Sequence, residues 1–150
     1  MRRKWSVLKR LSPFERWVFA QAVVLLPLTV LSLRLFGFQK TRDLLAAWVP
    51  ADVLDDAAVD REHVRATARM MRFALAGGFI HASCLPRSLV LWFLLRRQRI
   101  QAHLRIGVRK EQAELDAHAW VECLGVIAND RRRVSTRWNA FDGLSPVTKS

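Results

Sequence analysis

Ser83 to Arg109 reads SCLPRSLVLWFLLRRQRIQAHLRIGVR, and its hydrophobic period changes halfway along. From Leu85 to Ile100 the chain is apolar nearly all round, with Leu89, Val90, Leu91, Trp92, Phe93, Leu94 and Leu95 in one unbroken run. That pattern predicts a central, buried helix. Arg96, Arg97 and Arg99 fall at its end, where basic side chains complement the helix dipole. Then Ala102, Leu104, Ile106 and Val108 alternate with His103, Arg105, Gly107 and Arg109. Alternation of this kind is the mark of a half-buried strand. Pro86 suits an early helical turn, so Cys84 stands at the start of the helix.

On the C-terminal side, the acidic stretch Glu111 to Asp116 is expected to be a connection and Ala117 to Val126 a second strand. Arg131-Arg132-Arg133 is expected in a loop or hairpin turn, and Val134 to Trp138 as a third strand. On the N-terminal side, Ser12-Pro13-Phe14-Glu15 carries a helix start. Ser12 can cap, Pro13 suits the first helical position, and Glu15 can reach back to the amide of Ser12. Gly37 is a plausible end, and Pro27 is expected to kink the helix. Residues 41–72 read as one or two amphipathic helices, with Asp52, Asp55 and Asp56 as helix-start candidates. Val64, Ala68, Met71 and Leu75 recur there at helical spacing, a pattern best read as core packing. Gly77-Gly78 breaks it. Helices first and strands later make the class α+β, N-terminal helices followed by a small antiparallel sheet. Residues 1–45 form a basic and hydrophobic helical segment, and residues 46–150 the domain proper.

The chain carries 25 Lys and Arg against 13 Asp and Glu, a formal net charge of +12. Residues 1–50 hold nine basic and two acidic side chains, residues 51–83 four and five, residues 84–150 twelve and six. A basic balance suits an anionic peptide, a membrane face or nucleic acid. No Walker or GxGxxG phosphate loop, no aromatic RNA-binding box and no tyrosine is present, so nucleic acid is not an expected partner. Trp17 to Leu33 contains no charge. Three readings compete for that stretch: a short membrane span, a secretory signal without a small-residue cleavage site, or a helix packed on the domain or a partner. Two cysteines in 150 residues are no disulfide framework and fit a reduced, cytoplasmic setting.

Cys84, His118 and Asp130 are the parts of a cysteine nucleophile site. A thiol attacks as a thiolate, and a helix N-terminus beside an imidazolium favours that form. His118 on a strand would take the thiol proton, Asp130 would hold the ring's tautomer, and the Cys84 amide would donate to an oxyanion. On a strand His118, Trp120 and Glu122 share one face, and Ala119, Val121 and Cys123 the other. Cys123 is therefore a poor partner for His118 and reads as a small buried hydrophobe. Trp120 either lines the site or packs as an ordinary aromatic. Asp116 and Glu122 rival Asp130. A zinc site from His81, Cys84, His103, His118 and Cys123 is disfavoured, because neither HExxH nor paired CxxC occurs. No metal and no cofactor is expected.

Cys84-Leu85-Pro86-Arg87-Ser88-Leu89, then Leu104-Arg105-Ile106-Gly107-Val108, then Ala117-His118-Ala119-Trp120-Val121-Glu122 with Gly125, resemble the transglutaminase-like lasso peptide biosynthesis protein B. Leu11-Ser12-Pro13-Phe14-Glu15-Arg16 and its apolar helix are similar to the stand-alone form of that family. The resemblance implies a transglutaminase-like cysteine protease fold with Cys84, His118 and Asp130 as its triad. It implies a peptidase that removes the leader from a lasso peptide precursor. A separate leader-recognition protein and a macrolactam-forming cyclase would be partners, since 150 residues leave no room for a fused recognition domain. Two other classes keep much of the same sequence: a transglutaminase-like acyl transferase, and a non-enzymatic membrane-associated adaptor held by the N-terminal helix.

Overall fold

The computed structural model describes residues 11–76, 82–111, 114–129 and 139–140. Gly77-Gly78, His81, Asp130, Arg131 to Arg133 and Val134 to Trp138 lie outside the described residues. The described chain forms helices α1 (Pro13–Ala47), α2 (Arg61–Ala76) and α3 (Cys84–Arg97), with a 3-10 turn at Asp56–Ala58. Four strands follow: β1 (Ala102–Glu111), β2 (Glu114–Cys123), β3 (Val126–Ile127) and β4 (Asn139–Ala140). They form one antiparallel sheet in the order β3-β2-β1-β4. The class is α+β, helices first.

Helix α1 begins as its sequence directs. The Ser12 hydroxyl accepts from the Glu15 amide (3.2 Å), and Glu15 Oε2 accepts from the Ser12 amide (2.9 Å). Both halves of the capping box are made. Glu15 Oε1 also accepts from Arg69 Nη2 at 2.7 Å, tying α1 to α2. Pro27 is not where the helix breaks. The backbone leaves helical geometry at Gly37 (φ 77°, ψ 179°), a left-handed φ open to a residue without Cβ. Ser32 and Thr41 then meet across the bend (Oγ···Oγ1 2.9 Å), and Thr41 Oγ1 donates to the Gly37 carbonyl (2.8 Å).

Residues 41–72 divide differently from the expectation. Residues 41–47 belong to α1 and only the second amphipathic helix stands alone, as α2. Asp55 makes no side-chain cap; instead Asp60 Oδ1 accepts from the Glu62 amide at 2.8 Å at the start of α2. Val64, Ala68 and Met71 are buried, as their spacing requires.

The core joins Val18, Ala22 and Leu26 of α1 with Val64, Ala68 and Met71 of α2. The α3 run Leu89–Leu91 and Phe93–Leu95 and the sheet residues Ala102, Leu104, Val121 and Cys123 complete it. Helix α3 ends with Arg99 at φ 61°, and the Ile100 amide donates back to the Leu95 carbonyl (3.1 Å). This left-handed cap turns the chain directly into β1. Trp92 Nε1 donates to the Ala102 carbonyl (3.1 Å), fixing the angle between helix and strand.

The acidic stretch is not a simple connection. Pairing continues from Ala102↔Cys123 to Glu111↔Glu114, so β1 and β2 form one long hairpin. Likewise the second strand stops at Cys123. Leu124 (φ 52°) and Gly125 (φ 73°) make a two-residue turn of the primed kind, and Cys123 pairs with Val126 across it.

Removing the Ser12 cap by Ser12→Ala should cost about 1 kcal/mol in urea unfolding. The Arg69 guanidinium, then the Ser12 amide, hold the Glu15 carboxyl below its ordinary value of 4.5. A depressed carboxyl stabilises the fold above that value and loses the effect as pH falls below it. Glu15→Gln should therefore flatten the stability-versus-pH curve on the acid side, measured by thermal unfolding from neutrality downward.

Candidate active site

In an antiparallel strand, alternate residues turn their carbonyls and amides to the same edge. The Val121 carbonyl accepts from the Ala128 amide at 2.9 Å, on the edge away from β1. The Ala119 and Ala117 carbonyls point the same way. At those two positions β3 has already ended, and among the described residues no other strand runs along this edge, where unpaired polar groups need cover. Helix α3 covers it. Ser88 Oγ, fully buried, donates to the Ala119 carbonyl (2.9 Å). One turn earlier, Cys84 Sγ lies 4.0 Å from the Ala117 carbonyl. The sequence motif thus becomes geometry: residues 84 and 88 face one strand edge because they are one helical turn apart.

Asn129 closes this contact. Its Nδ2 donates to Ser88 Oγ (2.8 Å), and its Oδ1 accepts from the Val121 amide (2.9 Å). Ser88, Asn129 and the β2 backbone form a satisfied network that holds the first turn of α3 and residue 129 together. The sequence alone gives neither residue a role. The available signals were a Ser four residues after the cysteine and an Asn beside the proposed acid.

His118 lies on β2 next to the peptide that Cys84 touches. Gly107 is its cross-strand neighbour on β1 and contributes no side chain there. Trp120 is 1% exposed and its ring is nearly parallel to that of His118, with centroids 6.2 Å apart and planes at 20°. Trp120 Nε1 donates to Glu122 Oε1 (3.0 Å), and Glu122 Oε2 pairs with Arg105 Nε at 3.2 Å. Both Glu122 oxygens are thereby engaged with Trp120 and Arg105. Glu122 fixes the indole, and the indole stacks on the ring of His118.

The two thiols differ sharply. Cys84 is partly exposed at the helix start; Cys123 is buried at 1% exposure in the core. Burial, with a smaller contribution from the Asp56 charge, pushes the Cys123 thiol up to about 11. It is a protonated core residue. Among the described residues no group of three His, Cys, Asp or Glu side chains is placed to hold a metal.

Residues 22–142 match the model of the transglutaminase-like superfamily. The chain belongs to that superfamily, which includes cysteine peptidases and acyltransferases. No curated protein and no solved structure matches it.

At mildly alkaline pH one thiol should react quickly with iodoacetamide and the second only after unfolding; peptide mapping should place the fast adduct on Cys84. Asn129→Ala leaves buried partners unpaired and should cost about 1–3 kcal/mol in urea unfolding. Faster hydrogen exchange at the Val121 amide would mark the site of the loss.

Proposed function

We propose that this protein is a cysteine peptidase that removes the leader from a lasso peptide precursor. The observation that carries the reading is Cys84 at the N-terminus of α3, its sulfur against the carbonyl of the residue before His118. That apposition occurs within a transglutaminase-like domain. A helix N-terminus offers free amides and a positive dipole end to a thiolate and to a developing oxyanion.

In the proposed reaction His118 takes the thiol proton, and Cys84 Sγ attacks the carbonyl carbon at the leader–core junction. The tetrahedral intermediate collapses as His118 returns the proton to the leaving amine. Water then attacks the thioester, with His118 again as base, and the thiol is restored. Asp130, one residue beyond the Asn129 that binds Ser88, is assigned the orienting carboxylate. Trp120 and Glu122 are positioning residues for the ring. A separate leader-recognition protein brings the precursor, and a cyclase consumes the freed core peptide. The setting is the cytoplasm, which keeps both thiols reduced.

The test is mass spectrometry of a precursor incubated with this protein and its recognition partner. Wild type should release leader and core, Cys84→Ala should release neither, and Cys123→Ala should cleave normally. A leader bearing an added amine in place of a free junction acid would identify acyl transfer instead of hydrolysis. Full function in Cys84→Ala and His118→Ala would identify the non-enzymatic adaptor.

A further inference from the structure

Helix α1 has a second face that the domain does not use. Val18, Ala22 and Leu26 are wholly buried in the core, and Thr29 is 3% exposed beside them. On the opposite side Trp17, Val24, Leu28, Leu31 and Leu35 are each half or more exposed, at spacings of seven, four, three and four. Those spacings form a single stripe along one helix face. A solvated helix face is ordinarily polar, yet Trp17 to Leu33 holds no charge. The apolar area continues past the bend at Gly37. Leu44 and Trp48 are exposed there and line a cleft of about 350 Å³ together with Leu28, Phe93 and Arg97.

The charges around this face decide what covers it. Between Glu15 and Asp43 the charged residues are Arg16, Arg34, Lys40 and Arg42, all basic. Arg16 and Arg34 are exposed and stand about five turns apart, so they fall on one line beside the stripe. The sequence before Leu11 adds Arg2, Arg3, Lys4, Lys9 and Arg10. Trp17 and Trp48, at the two ends of the surface, are the residue type that settles at a lipid–water boundary. A second copy would bring these like charges together, and each chain is already at +12. A bilayer crossing would strip Val18, Ala22 and Leu26 out of the core.

The geometry points to an in-plane docking surface: the outer face of α1, bordered by Arg16, Arg34 and Lys40, lies on an anionic lipid bilayer while its inner face stays packed on α2 and α3. Apolar burial and attraction to anionic headgroups act together in such a helix. This inference rests on α1 alone and is independent of the peptidase reading.

The full chain is tested by flotation with phosphatidylcholine vesicles, with or without phosphatidylglycerol. Binding should be at least about tenfold stronger with the anionic lipid. Cys84→Ala should float like wild type, whatever the outcome for cleavage. Leu28→Asp with Leu31→Asp, both at exposed positions, should abolish flotation with an unchanged circular dichroism spectrum, and Arg34→Glu should weaken it. The proposal is overturned if the chain stays unbound with anionic vesicles or if the double variant still floats. It is equally overturned if membrane-bound protein resists an alkaline carbonate wash, the behaviour of a span, or if light scattering shows a lipid-free dimer that the double variant breaks.

Discussion

The contact between the first turn of α3 and the open edge of β2 is the constraint on which the candidate site depends. Two requirements meet there. The apolar run of α3 must be buried, which places the helix in the core between α1, α2 and the sheet. The carbonyls of Ala117 and Ala119 need covering, because among the described residues no strand pairs with them on that side. Ser88 meets the second requirement while Leu89 to Leu95 meet the first. Once both hold, Cys84 has one place to be, against the peptide leading into His118. The Asn129 bonds to Ser88 and Val121 then hold residue 129 at the same spot.

The β1–β2 hairpin supplies the other half of the arrangement. Its register sets Gly107 opposite His118 and Arg105 opposite Trp120. One face of β2 thus carries a chain of contacts, Arg105 to Glu122 to Trp120 to His118, while the other contributes Val121 and Cys123 to the core. A slip of one residue would exchange those faces. The two cysteines show the consequence: one thiol stands at a helix start against the carbonyl of Ala117, and the other is held neutral by burial.

Much of this was legible in the residues. The change of period after Ile100 separates helix from strand, and the alternation around His118 assigns Cys123 to the core face. The capping box at Ser12 and the stripe of α2 follow from local rules. What failed were junctions set by tertiary pairing. Glu111 and Glu114 look like loop residues, yet the hairpin carries the ladder through them. Leu124 gives no turn signal, and takes its positive φ because Gly125 follows and Cys123 is paired. Pro27 stays within the helix, and the bend falls at Gly37, where the left-handed φ is open to a residue without a side chain. The Ser88–Asn129 network joins residues 41 apart and has no local signature. Asp130 as orienting acid is still an assignment from sequence.

The central claim is that the Cys84 thiol and the His118 ring act on one another across the α3–β2 contact. Treatment of the native protein with 1,3-dibromoacetone, which alkylates a thiol and then an adjacent imidazole, measures that directly through peptide mapping of the product. The account predicts one bridge per chain, joining Cys84 to His118. Alkylation of Cys84 with no bridge to His118, or a bridge to some other side chain, would contradict it.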